Sequence, residues 1–202
     1  MFIKGEENLH KLTTESISKC HIFLRKIFKD PSIVSLREIA RFSKCVNYFQ
    51  IYFLKKSNRS NNHSLDDETR NLYKIKSIIC SIYLCYYIRL INEDIRGKFD
   101  FELQKTILKI VNVYSTEKDD EENKTSLFDK IKNKKLKEEL SEKNIEHFSD
   151  LLKIEEEFLL KQIELDAGIG KNDLLKENLF LLFLSVVTKI PLIIVGKPGK
   201  YW

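Results

Sequence analysis

Apolar residues recur at three- and four-residue steps along most of the chain. Leu9, Leu12, Ile17, Cys20, Phe23, Leu24, Ile27 and Phe28 keep that rhythm, which predicts an amphipathic helix over residues 6–28. Asp30-Pro31 ends it, because proline lacks a backbone N–H and pushes the preceding residue out of helical angles. A second helix is predicted to begin after Ser35, whose Ser-x-x-Glu spacing to Glu38 is that of a capping box. Its stripe is Ile39, Phe42, Val46, Phe49 and Phe53, fading near Leu54-Lys55-Lys56. The polar stretch 57–68 reads as a loop. A third helix is expected over 69–96, with Leu72, Ile75, Ile78, Ile79, Ile82, Tyr83, Tyr86 and Leu90 on its apolar side. Around 78–90 it is apolar over most of its circumference, the mark of a helix lying between other helices. Gly97 is expected to stop it, and residues 99–114 to form a fourth helix.

Residues 115–125 (STEKDDEENKT) are a charged break. Residues 126–150 are amphipathic and lysine-rich, weakly anchored by Leu127, Phe128, Ile131, Leu136 and Leu140. Helix is expected again over 151–163, broken by Ala167-Gly168-Ile169-Gly170. Asn172 or Asp173 is placed to cap a last helix running to about residue 188. After Pro191, the run Leu192-Ile193-Ile194-Val195 reads as one short buried strand. The fold class is therefore mainly α, a helical bundle followed by a C-terminal helix and that strand.

Composition narrows the function classes. Hydrophobic residues are 43% of the 202 and charged residues 32%, enough for a core and against full disorder. Six glycines and three prolines suit long helices. Thirty-five Lys and Arg against 30 Asp and Glu give +5, a mild excess that argues against a dedicated nucleic-acid binder. Cys20, Cys45, Cys80 and Cys85 form no CxxC pair, and Met1-Phe2-Ile3 runs straight into charged residues without a secretory leader. Reduced thiols in a cytosolic or nuclear setting are expected, with cytoplasmic the localisation adopted. Neither apolar stretch, 78–91 or 179–195, reaches the roughly 18 clean apolar residues of a membrane span. His10, His21, His63 and His147 lack metal-ligand spacing and read as surface or packing residues, so no metal is expected. Glu155-Glu156-Glu157 read as solvated charge.

The sharpest chemistry lies at Gly196, Lys197, Pro198 and Gly199, directly after the predicted strand. A strand followed by such a loop is how a phosphate-binding loop begins: backbone N–H groups turn toward phosphate oxygens, and glycine permits close approach. Read as G-x-x-x-x-G-K-[ST], the pattern would need glycine at 201 and lysine at 202, where Tyr201 and Trp202 stand. Lys200 falls two positions early. The loop is expected to be truncated, half a phosphate cradle without its cation. Taken alone, the four residues fit equally a strand end with a turn.

The surrounding residues resemble a known family. Lys171-Asn172, Leu175-Lys176-Glu177-Asn178-Leu179-Phe180 and Ile190-Pro191-Leu192-Ile193-Ile194-Val195-Gly196-Lys197-Pro198-Gly199 look like the start of an AAA+ module of the mysterin type, giant RING-finger AAA+ ubiquitin ligases. Ser32-Ile33-Val34-Ser35-Leu36-Arg37-Glu38-Ile39-Ala40-Arg41-Phe42 resembles the S-L-R segment in the helical lid of such a module, and Leu84-Cys85-Tyr86-Tyr87-Ile88-Arg89-Leu90 the apolar helix after it. The resemblance implies three regions: 1–115 the lid of one module, 116–150 a charged linker and amphipathic insert, and 151–202 the start of the next module. It also implies that Arg37 is the lid arginine contacting the nucleotide's terminal phosphate, a task for which a planar, permanently charged fork is suited. On its own chemistry, Arg37 is an exposed arginine in a first helical turn. The parent family uses ATP, Mg²⁺ and ubiquitin transfer. This stretch shows no Walker A lysine, no acidic Walker B strand and no RING cysteine–histidine array, so it is expected to be non-catalytic by itself, with the rest of an AAA+ ring or other proteins as partners. The competing expectation is a catalytically inert helical interaction module.

Overall fold

The computed structural model describes residues 2–58, 67–111, 147–164, 170 and 172–193. The expected linker, most of the amphipathic insert, and Gly196, Lys197, Pro198 and Gly199 lie outside the described residues. Two compact units are formed, Met1–Leu152 and Lys153–Trp202.

In the first unit, α1 spans Phe2–Phe28, a 3₁₀ turn spans Pro31–Ile33, and α2 spans Leu36–Asn58. Helix α3 spans Asp67–Ile82 and runs on as a π turn at Tyr83–Tyr87; α4 spans Glu93–Val111. Helix α5, Phe148–Leu160, begins in this unit. In the second unit, α6 spans Asp173–Thr188.

Helix α3 sits between α2 and α1, and α1 packs along α4. Every residue from Lys76 to Leu84 is buried, as expected of a helix apolar on nearly all sides. Full burial of an Ile or Leu side chain is worth roughly 1.5–3 kcal/mol, and Leu12, Leu24, Ile79, Ile82, Leu90, Leu103 and Ile107 each contribute on that scale beside the fully buried Phe49 and Phe99. The stripes of α1 and α2 bury Leu12, Cys20, Leu24, Phe42, Phe49 and Phe53, while Phe28 and Ile39 at their ends stay exposed. Aromatic edges join α1 to α4 through Phe23 and Phe99, centroids 5.3 Å apart. Phe53 and Tyr73 stack across α2 and α3 at 6.2 Å, with the buried Lys76 ammonium 4.6 Å above the Phe53 ring. The expectation that Tyr83 and Tyr86 serve packing is met: both are fully buried.

The third helix ends earlier than its pattern predicts. It closes at the π turn, and a new helix starts at Glu93. Asn92 is the cap: its side-chain oxygen accepts from Ile95 N–H at 3.1 Å, and Glu93 and Asp94 place acid on the positive end of the helix. The Arg96 guanidinium donates to the carbonyls of Leu90 and Ile88, closing groups that the ended helix leaves open. Gly97 is therefore inside α4, not after a helix.

The strand expected at 192–195 is not formed in the described part. No strand occurs among the described residues, and Leu192 and Ile193 are irregular. A single extended segment has no neighbour to take its ladder hydrogen bonds. Ile194 and Val195 lie outside the described residues. Helix α6 starts at the expected place: Asn172 Oδ1 accepts from Leu175 N–H at 2.8 Å, so Asn172 and not Asp173 is the cap. Glu155 and Glu156 are buried, contrary to their reading as solvated charge, and only Glu157 of the three is exposed. No described helix is long and apolar enough to cross a membrane.

A β-carbon at Gly97 would meet nothing within 4 Å. Gly97→Ala should raise unfolding stability by about 0.5–1 kcal/mol, by removing glycine's excess unfolded-state freedom from a helix interior. Thermal melting followed by circular dichroism would show a midpoint higher by about 1–4 °C; a lower midpoint would mean that the helix ends at Gly97 after all.

Candidate functional site

The corner between α1 and α2 carries the one sequence-predicted site residue that is described, Arg37. The chain leaves α1 through Lys29, which takes a left-handed conformation (φ 53°). Asp30 then turns it: its Oδ1 accepts from Ser32 N–H at 2.8 Å and Ser32 Oγ–H at 2.7 Å. Pro31 occupies the first position of the 3₁₀ turn, and its carbonyl accepts from Arg25 Nε at 3.2 Å.

The capping box expected from Ser35-x-x-Glu38 is present. Glu38 Oε2 accepts from Ser35 N–H at 2.7 Å and from Ser35 Oγ–H at 2.9 Å, and Arg37 N–H donates to Ser35 Oγ at 3.3 Å. The other carboxylate oxygen, Oε1, lies 3.6 Å from both Arg41 Nη1 and Arg89 Nη1. Arg89 Nη2 also donates to the Ile33 carbonyl at 3.2 Å. One buried carboxylate thus ties the corner, the first turns of α2 and the end of the α3 segment together. Burial alone would lift the Glu38 carboxyl above its ordinary range; the Ser35 donors and the Arg89 charge outweigh that and hold it below.

Arg37 is exposed, and its guanidinium forms no ion pair among the described residues. Glu38 pairs with Arg41 and Arg89 rather than with Arg37. The corner therefore holds Arg37's backbone while leaving its fork directed at solvent. Nearby, His21 Nε2 lies 3.0 Å from Tyr86 Oη, with the rings edge to face at 5.5 Å. Burial, then the Arg25 charge, holds the His21 imidazole below its ordinary pKa, which favours the neutral ring.

Pattern reading missed a second polar group. Asp100 of α4 is buried; its Oδ1 accepts from the Tyr83 hydroxyl and its Oδ2 lies 2.9 Å from His147 Nδ1. His147 in turn starts α5, where its N–H donates to Asp150 Oδ2 at 2.9 Å. Burial raises the Asp100 carboxyl, opposed by the Tyr83 and His147 bonds. The signal was weak, because an Asp among apolar helix positions reads as a surface break. The group anchors α4 and the start of α5 on the π turn.

Comparison with known proteins gives the setting. The family described as the RNF213 AAA domain matches residues 168–201. The human E3 ubiquitin-protein ligase RNF213 (Homo sapiens) is 26% identical over 208 aligned residues, covering 98% of this chain and 3% of that protein. The chain is similar to the RNF213 ubiquitin ligases along most of its length. RNF213 and mysterin name the same family, so the resemblance carried by the lid-like and loop-like motifs is met. The zebrafish (Danio rerio) ligase rnf213-beta is 50% identical over 45 residues, 22% of this chain and 1% of that protein. Mouse (Mus musculus) RNF213 is 23% identical over 189 residues, covering 91% of this chain and 3% of that protein. The chain thus spans about 3% of the length of the long-matching RNF213 relatives. No solved structure matches it. The family match includes Gly196, Lys197, Pro198 and Gly199, and the 98% coverage carries the RNF213 similarity through the α1–α4 unit.

Glu38→Gln keeps an acceptor for Ser35 but loses the charge facing Arg41 and Arg89, and should cost about 1–2 kcal/mol at pH 7. Because the folded state holds Glu38's pKa below the ordinary 4.5, the charge stabilises above that value and its contribution fades as pH falls below it. Urea unfolding at pH 7 and pH 3.5 would show the gap between wild type and variant shrinking at the lower pH. A gap unchanged with pH would refute the charge assignment.

Proposed function

We propose that this chain is the joint between two AAA+ modules of an RNF213-type ubiquitin ligase, and that it is not catalytic by itself. Residues 1–115 serve as the helical lid of one module, 116–150 as a charged connector, and 151–202 as the start of the next. The order of the similarities supports the reading: an RNF213-like helical unit comes first, and the RNF213 AAA match at 168–201 follows it. In this role Arg37 meets the terminal phosphate of a nucleotide held by a neighbouring core, from a corner that gives its guanidinium no ion pair among the described residues. Gly196, Lys197, Pro198 and Gly199 supply backbone N–H groups to a phosphate. ATP and Mg²⁺ belong to the nucleotide-binding cores of the ligase, and ubiquitin transfer to its RING. The setting is cytoplasmic, and the partners are the other parts of the AAA+ ring.

A second reading is an inert helical docking module. It is favoured by α6, which leaves Leu182, Val186 and Val187 at 48%, 70% and 43% exposure.

The purified 202-residue chain should release no phosphate from ATP above background. Release proportional to its concentration would overturn the non-catalytic reading. Arg37→Ala should move the melting midpoint of the chain by no more than about 1–2 °C, as for a surface substitution. A fall beyond about 5 °C would make Arg37 structural and remove it from the proposed phosphate contact.

A further inference from the structure

Four cysteines are free, and two of them meet. Cys45, in the middle of α2, is 2% exposed. Cys85 lies on the π turn and is only partly buried. Their sulfurs are 4.0 Å apart, with the Cys85 S–H directed at Cys45 Sγ. A π turn inserts one residue into the helical register, and such insertions recur at functional sites. Here it sets Cys85 against α2 while Tyr83 and Tyr86 stay in the core.

The surroundings are basic. The Cys85 S–H bond, then the Lys44 charge, lower the Cys45 thiol against its burial, whereas Cys85 itself is raised by that bond and by burial, with Arg41 and Arg89 opposing. In the Cys85 S–H bond, Cys45 is the acceptor and Cys85 the donor. Cys20 is fully buried, and burial pushes its thiol far up, so it serves as an internal control.

We propose that Cys45 and Cys85 are a peroxide-sensitive dithiol, closing reversibly to a disulfide between α2 and the π turn. The Cys45 thiolate attacks one oxygen of hydrogen peroxide; an S–O bond forms and the O–O bond breaks. Hydroxide leaves and becomes water with the proton Cys45 had given up, and Cys45 is a sulfenic acid. The Cys85 sulfur attacks that sulfur; the S–S bond forms, the S–O bond breaks, and the oxygen leaves as water with the Cys85 proton. Two thiols are oxidised and one peroxide is reduced to two waters. The sulfurs must close from 4.0 Å to about 2.05 Å. The bond would bridge positions 40 apart in sequence, one helical turn before Arg89, whose guanidinium holds Glu38 and the corner carbonyl. The proposal is independent of any nucleotide role.

The test exposes the reduced 202-residue chain to hydrogen peroxide, then reads intact mass and peptide maps. The expected result is loss of two hydrogens, a single cross-linked peptide pair joining Cys45 to Cys85, unmodified Cys20 and Cys80, and reversal by dithiothreitol. In Cys85→Ser, dimedone should trap a sulfenic acid at Cys45. In Cys45→Ser, thiol loss at Cys85 should slow by roughly tenfold or more. Sulfinic or sulfonic acid at either position without a cross-link would overturn the proposal. So would oxidation of Cys20 or Cys80 while Cys45 and Cys85 remain thiols. The wild-type map decides the matter even if a serine variant folds poorly.

Discussion

The Glu38 carboxylate is taken out of water and then supplied with donors from three directions. Ser35 gives it a backbone N–H and a hydroxyl, Arg41 approaches from the next turn of α2, and Arg89 arrives from the far end of the α3 segment. A buried charge without such partners would cost several kcal/mol. With them, it fixes the angle at which the chain leaves α1 and enters α2. Arg25 and Arg89 complete the corner by taking the Pro31 and Ile33 carbonyls, which no helix ladder can serve. The consequence is positional. Arg25, Arg41 and Arg89 are engaged with the protein, and Arg37, one residue before Glu38, is left facing solvent.

Everything else in the first unit depends on α3 being coverable from several sides. Its apolar run needs α2 on one flank and α1 on another, and α1 in turn is held along α4 by Phe23–Phe99 and by the Lys19–Glu102 ion pair at 2.7 Å. The π turn is where this packing meets polar chemistry. It buries Tyr83 against Asp100, sends Tyr86 toward His21, and lays Cys85 beside Cys45. A regular α turn would rotate these side chains out of their present partners, since one residue of register is about 100° of helix.

Much of the fold was legible because amphipathic helices announce themselves by period and caps. The Ser35–Glu38 box was readable at residue level and the last helix's cap to within Asn172 or Asp173, and the burial of 76–84 followed from apolar residues around most of the helix. The break between α3 and α4 was not, although Asn92-Glu93-Asp94 carries the signature of a helix start. Apolar periodicity simply continued through it, and Gly97 offered a more obvious stop. Asp100, His147 and the cysteine pair were hidden for a different reason. Their partners lie 17 to 47 positions away in sequence, and only packing brings them together. The burial of Glu155 and Glu156 belongs to the same class. On the function side, Arg37 was readable only through resemblance, because nothing in its own chemistry separates a phosphate contact from a surface arginine.

Similarity to RNF213 runs along almost the whole chain, and similarity to its AAA domain over 168–201, so both the helical unit and the loop residues fall within the matched stretch. The central proposal is that this stretch positions the Arg37 cation for a nucleotide bound elsewhere in an RNF213-type ligase. The most direct measurement is ATP turnover by a human RNF213 chimaera in which the matching stretch is replaced by this chain. The account predicts turnover in the chimaera and a loss of roughly tenfold or more on Arg37→Ala, the scale of one charge-assisted phosphate contact. An Arg37→Ala chimaera as active as its parent would contradict it.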